Sequence, residues 1–242
     1  EVGYPVVAKP DIGVGAAKTY KITNDAELMD YIATKPPVDY IMEEFIPGKI
    51  ITYDGLTDIQ GNVVFDSSLE YSKGVMEVVN QDTDIYYYMV REIPEDLREA
   101  GRRVVQAFNV RERFFHFEFF RLEDGGLVAL EVNMRPPGGL SIDMFNYAND
   151  MDIFKEWVNV LTHGRVSQQA QHPYFCTYVG RKDHIHYKRS HEQVLAEFGP
   201  LIAHHERISG IFAGAIGNYG YILRHPDLPT LLQAAQAIQE RA

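Results

Sequence analysis

Phe114-Phe115-His116-Phe117-Glu118-Phe119-Phe120-Arg121, then Leu122-Glu123-Asp124-Gly125-Gly126, then Leu127-Val128-Ala129-Leu130-Glu131-Val132-Asn133-Met134-Arg135 is the stretch that decides the fold. Its flanks are aromatic and β-branched enough to favour strand. Asp124-Gly125 between them is the signal of a two-residue hairpin turn. That turn sets Glu118 opposite Glu131 and His116 opposite Asn133. Side chains alternate along a strand, so these four share one face, with Phe117, Phe119, Leu130 and Val132 on the other. Two carboxylates directly opposed repel each other. A cation between them removes that penalty, and a hard ion such as Mg²⁺ (or Mn²⁺) takes carboxylate and amide oxygens and completes its shell with phosphates. The spacing alone fits equally a solvated hairpin whose outer face carries two acids.

The 242 residues are 45% hydrophobic, enough for a sizeable core in one large or two modest domains. Hydrophobic periodicity switches repeatedly between strand and helix, so the class is mixed α and β. A net charge of −11 without any Lys/Arg run disfavours holding a nucleic-acid backbone. It leaves room for a local polyanion site built from a few cations, amides and metal. The single Cys176 excludes an internal disulfide and a Cys-based zinc cluster, and it reads as a buried thiol in a strand. No apolar run approaches a membrane span. The chain opens at Glu1-Val-Gly-Tyr-Pro5, within an apolar strand, and is read as a fragment of a longer protein.

Upstream, Pro5 to Lys9 is a short strand followed by the small-residue loop Pro10-Asp11-Ile12-Gly13-Val14-Gly15-Ala16-Ala17-Lys18 and a returning strand, 19–22. Such a loop brings backbone N–H groups close to an anion, and Lys9 and Lys18 can both reach a phosphate held there. An ordinary glycine-turned hairpin fits as well. Asn24 or Asp25 caps a helix halted by Pro36-Pro37. Asp39 to Glu44 is a strand, broken at Pro47-Gly48. Strands are expected at 51–58, 63–68 and 86–90, with a polar loop over 71–84. A helix with Leu97, Gly101, Val104 and Phe108 on its apolar side precedes the hairpin. After Pro136-Pro137-Gly138-Gly139 a helix is expected over 151–161. Then come a strand near 175–179, a helix opened by the capping box Ser190/Gln193, strands near 208–212 and 213–221, and a last helix over 228–241.

Taken in order, Tyr4-Pro-Val-Val-Ala-Lys9-Pro, Ile41-Met-Glu43-Glu44-Phe45-Ile46-Pro-Gly48, His116-Phe-Glu118 and Glu131-Val-Asn133-Met-Arg135-Pro-Pro-Gly138-Gly139 resemble the ATP-grasp superfamily, in particular its carboxylate–amine ligases and carbamoyl-phosphate-synthetase-like members. The resemblance implies an α+β fold in which two subdomains hold ATP between antiparallel sheets. These would be a lid at 1–48 and a metal-binding subdomain at 49–165, followed by a small α+β domain at 166–242. It implies that Lys9 contacts the α- and β-phosphates and that the loop with Gly13, Val14, Gly15, Ala16 and Lys18 closes over the triphosphate. Glu43, Glu44, Phe45 and Ile46 would lie under adenine. Glu118, Glu131 and Asn133 would hold two Mg²⁺ ions, and Arg135 would steady the transferring group, so that Arg135 and Lys9 are the catalytic cations. The activity implied is ligation of a small-molecule carboxylate to an amine through an acyl phosphate. A bicarbonate-using carboxylase and a non-catalytic nucleotide-binding domain are the alternatives. Arg135-Pro-Pro-Gly-Gly is more like amino-acid ligases than biotin carboxylases, which carry Val-Glu-His there. Ile50 stands where the family usually places a Glu on the ribose. The family's N-terminal domain does not precede this stretch, so the fragment alone is expected not to turn over. A cytoplasmic setting is expected, and a homodimer is compatible with the resemblance.

His184-x-His186 and His204-His205 lack a third metal-ligand pattern and read as solvated. The aromatics of 114–120 read as core rather than as a base-stacking platform.

Overall fold

The structure is a computed structural model that describes residues 3–12 and 18–242. The expected phosphate loop, with Gly13, Val14, Gly15 and Ala16, lies outside the described residues.

The first unit is a three-stranded antiparallel sheet. It comprises β1 (Val6–Pro10), β2 (Tyr20–Ile22) and, after helix α1 (Asp25–Thr34), β3 (Tyr40–Glu44), in the order β2-β1-β3. Alternation in β1 sends Val6 and Ala8 into a small core with Ile22 and Tyr31, and leaves Val7 and Lys9 on the other face. Asn24 caps α1: its side chain accepts the Glu27 N–H at 3.0 Å, while the Glu27 carboxylate reaches back to the Thr23 N–H at 2.7 Å.

The second sheet has nine strands. In chain order the elements are β4 (Lys49–Thr57), β5 (Val63–Ser67), β6 (Leu69–Tyr71), α2 (Val75–Asn80), β7 (Tyr86–Met89), α3 (Glu95–Ala107), β8 (Phe114–Arg121), β9 (Leu127–Asn133), α4 (Ser141–Asn149), α5 (Ile153–His163), β10 (Phe175–Arg181), α6 (His191–Phe198), β11 (Ile202–Arg207), α7 (Gly210–Ile216), β12 (Tyr219–His225) and α8 (Leu228–Ile238). The strand order is β11-β12-β10-β7-β6-β4-β8-β9, with β5 also on β4. The strands of 166–242 therefore share a sheet with those of 49–165, through β10 on β7.

The two faces of this sheet explain the run of phenylalanines. Phe115, Phe117 and Phe119 pack with Ile51 and Tyr53 beneath α3. Each such ring removed from water is worth ~1.5–3 kcal/mol. Phe114 points the other way, into the core made by α4, α5 and β10. Moving along β8, that second face turns from apolar at Phe114 to polar at His116 and Glu118.

Three elements differ from the sequence expectation. The polar loop of 71–84 contains α2, a six-residue helix rich in valine that buries only Val78. Ser141–Asn149 forms a helix, α4, directly after the glycines. The expected strands at 208–212 and 213–221 are instead β11, the helix α7 and β12. Gly210-Ile-Phe-Ala-Gly-Ala-Ile216 has no helical polarity of its own. It is helical because it packs on α2 and lays Phe212 and Ile216 over Gly138 and Gly139, a tertiary contact that overrides local preference.

Candidate active site

Glu118 lies opposite Glu131 and His116 opposite Asn133, the pairing expected from the sequence. The route to it differs. The turn is a three-residue loop, Glu123-Asp124-Gly125, closed by Leu122 N–H to Gly126 O at 2.9 Å. Gly125 takes φ +87°, which a side chain would resist. Arg121 consequently faces Leu127, one residue out of step with the two-residue turn. A β-bulge between Ala129 and Glu131 then restores the register at the acids, and Leu130 is its extra residue.

Behind Glu118 stands a polar chain that the sequence reading missed. Asp54, fully buried, lies opposite His116, and Thr52, also fully buried, lies opposite Glu118. His116 Nδ1 is 2.5 Å from Asp54 Oδ1, and its Nε2 is 3.1 Å from Glu118 Oε1. Burial alone would push His116 down, but the Asp54 carboxylate, with Glu118 behind it, carries it up to about 10. Both ring nitrogens are engaged, so His116 has no nitrogen free to act as a general base. The Tyr71 phenol joins this face. Burial first, then the Glu118 carboxylate, pushes it well above its usual range, so it stays a neutral donor. Alternation in β4 could have flagged Thr52 and Asp54 as sharing a face. Nothing local could have said which strand they lie beside.

The three-stranded sheet carries the other group of expected residues. Lys9 Nζ stands 2.6 Å from Glu43 Oε2 on its open face. Lys18 is exposed where the chain re-enters the sheet, with φ 59°. Glu44 is exposed, Ile46 is half-buried, and the Phe45 ring lies 3.7 Å under Lys21 Nζ. Ile50 faces Phe120 across β4 and β8. Arg135 is exposed, and its guanidinium donates to its neighbour's carbonyl, Pro136 O, at 2.9 Å. The glycines that follow are fixed in place: Gly139 has φ +62°, and a Cβ there would meet Ile216 at 2.8 Å.

Glu118, Glu131 and Asn133 form an all-oxygen donor set suited to a hard divalent cation. Two observations fit one there. The carboxylates are opposed in register, and Asn133 Nδ2 is buried with no hydrogen-bond partner, an amide held for its oxygen. Among the described residues no group of three or more His, Cys, Asp or Glu is arranged to hold a metal, so the remaining ligands would be phosphate and water oxygens.

The ATP-grasp domain family matches residues 2–143, more than half of the chain. The chain belongs to that family, and its fold is the ATP-grasp fold. It is 23% identical over 177 residues to the L-arginine-specific L-amino acid ligase of Bacillus subtilis, covering 66% of this chain and 41% of that protein. It is 36% identical over 76 residues to the chloroplastic arginine-specific large chain of carbamoyl phosphate synthase from Oryza sativa subsp. japonica, 29% of this chain and 6% of that one. Among solved structures, the L-amino acid ligase from Bacillus licheniformis superposes with a TM-score of 0.73 at 16% identity, over 100% of this chain and 64% of that one. The biotin carboxylase domain dimer of Hydrogenobacter thermophilus 2-oxoglutarate carboxylase, in complex with MgADP, ADP and bicarbonate, gives 0.60 at 16% identity, over 98% and 56%. The chain thus spans less than two thirds of the length of each of these relatives. No helix among the described residues is long and apolar enough to cross a membrane.

Proposed function

We propose that this chain is the ATP-binding and catalytic portion of a ligase that joins a small-molecule carboxylate, in the first instance an amino acid, to an amine. The observation that carries the reading is Glu118 opposed to Glu131, with Asn133 on the same face, in an ATP-grasp chain. A carboxylate is a poor acyl donor. One of its oxygens attacks the γ-phosphorus of ATP, ADP leaves, and an acyl phosphate remains. The amine lone pair then attacks the acyl carbon, the C–O bond to phosphate breaks, phosphate departs with that electron pair, and the amine proton goes to solvent.

In this reading Lys9, Lys18 and the backbone of Gly13 to Ala16 hold the phosphates, and Glu43 to Ile46 line the adenine. Arg135 offsets charge on the transferring phosphoryl group, and a closed loop keeps water from the acyl phosphate. Glu118, Glu131 and Asn133 would hold Mg²⁺, which would supply charge neutralisation to the phosphates. A homodimer and a cytoplasmic setting belong to the same proposal.

The test is ATP-dependent phosphate release by the full-length protein with a panel of amino-acid pairs. Release that needs two amino acids, with the dipeptide as product and loss of activity in Glu131→Ala, is the expected result. Release that requires bicarbonate and ignores amino acids would replace this reading with the carboxylase one. The likeness to the bicarbonate-bound carboxylase domain keeps that second reading open.

A further inference from the structure

The polar chain behind Glu118 has a direction that its chemistry fixes. The Leu69 N–H can only donate, and it does so to Thr52 Oγ1 at 2.9 Å. The Thr52 hydroxyl therefore sends its own hydrogen to Asp54 Oδ2. A carboxylate accepts, so His116 Nδ1–H donates to Asp54 Oδ1 at 2.5 Å, and Nε2–H donates to Glu118 Oε1 at 3.1 Å. The chain starts on β6, crosses β4 and β8, and ends one strand from Glu131. Its pieces are nearest neighbours in register, Thr52 opposite Glu118 and Asp54 opposite His116. It leaves Glu118 Oε2 without a hydrogen bond among the described residues.

We propose that His116 is a positioning residue. Anchored on Asp54 and Thr52, it holds Glu118 Oε1 so that the other carboxylate oxygen is presented beside Glu131 and Asn133 before a metal arrives. A glutamate side chain is otherwise free to rotate, and the opposed charge of Glu131 would turn it away. Partners that orient a metal ligand from behind typically matter ~10–100-fold in metal affinity. The inference rests on reading Glu118 and Glu131 as metal ligands.

Binding of Mn²⁺ in the presence of ADP, followed by loss of the free-ion electron paramagnetic resonance signal, tests it without turnover. Asparagine places a nitrogen near His116 Nδ1 and glutamine near Nε2, so His116→Asn keeps the reach to Asp54 and His116→Gln keeps the reach to Glu118. His116→Asn should weaken Mn²⁺ at least ~10-fold, and His116→Gln, which keeps the hold on Glu118 but gives up the anchor on Asp54, should weaken it by clearly less. A residue that only supports folding would not split the two. Equal affinity in both variants, whether unchanged or lost together, overturns the proposal. Asp54→Asn, which keeps the shape of the buried anchor, should also weaken Mn²⁺, and unchanged affinity there overturns the proposal even where His116→Asn does not fold. Glu131→Gln separates the two readings. If it binds Mn²⁺ as tightly as the unsubstituted protein, the metal assignment itself falls. If it loses the ion while His116→Asn keeps it, only the positioning role falls.

Discussion

Lys9 and Glu43 form an ion pair 2.6 Å long across neighbouring strands, so a cation proposed for phosphate is held by a carboxylate proposed for the adenine hinge. Both side chains are partly exposed, and pairs of that kind contribute ~0–1 kcal/mol. Glu43→Gln should therefore move the melting temperature by no more than about 3 °C. Lys9→Met should leave melting equally unaffected and weaken ADP about tenfold, the loss expected for one charge-assisted hydrogen bond. Isothermal titration beside thermal melting reads both. A large fall in melting temperature with ADP binding intact would place Lys9 in folding instead.

Glu156 supplies a pH dependence. Burial alone would raise its carboxyl, but hydrogen bonds from the Ser167 hydroxyl and N–H, with Asn159 and the Gln168 backbone, outweigh that and hold it below its usual value. A depressed folded pKa gives stability that is fully present above the unfolded value of about 4.3 and is lost as pH falls through the folded one. Glu156→Gln should cost about 2 kcal/mol at pH 7, and the gap to the unsubstituted protein should close on acidification below about pH 4. Urea unfolding across pH 3–7 checks the sign; a gap that widens in acid contradicts it.

Gly101 sits in α3 directly over the ring of Tyr53, and a Cβ there would run into that ring. Tyr53 cannot yield: it is fully buried, packs on Phe115 at 5.3 Å and donates to Asp66 at 3.1 Å. Alanine in place of glycine normally gains a helix ~0.5–1 kcal/mol, whereas overpacking a core costs ~1–3 kcal/mol. The second term should win, and Gly101→Ala should lower the melting temperature by several degrees.

Cys176 is fully buried in β10, and burial pushes its thiol up to about 12. A neutral, enclosed thiol is a poor nucleophile. No labelling by a thiol reagent is expected in the native protein at pH 8, with one equivalent taken up after denaturation. Rapid native labelling would mean that β10 opens locally.

The sequence made the acidic pairing legible through two departures that cancel. Asp124-Gly125 suggested a two-residue turn, the chain makes a three-residue one, and the bulge at Leu130 takes the extra step back. A bulge leaves no local signature, so the pairing was legible while its mechanism was not. Capping signals read directly: Asn24 and the Ser190/Gln193 box stand at helix starts as expected. Helices α2 and α7 were hidden because they hold each other, and their residues say little about that alone. Thr52, Asp54 and Tyr71 were hidden for a related reason. Their strands were visible, but only long-range register brings them to Glu118.

The antiparallel joint of β7 with β10 sets what shortening the chain would do. Gln239, at the end of α8, bridges that joint by donating to Ile85 O and Gly180 O, each at 2.7 Å. Removing everything after residue 165 would take β10 away from β7 and bare the edge of that strand, with Ile85 O and the backbone of Tyr87 losing their partners while Tyr86 stays bonded to Ser72 on the other side. Bare rims of that kind recruit other chains. Limited proteolysis in that connection should therefore give aggregates rather than a smaller monodisperse core.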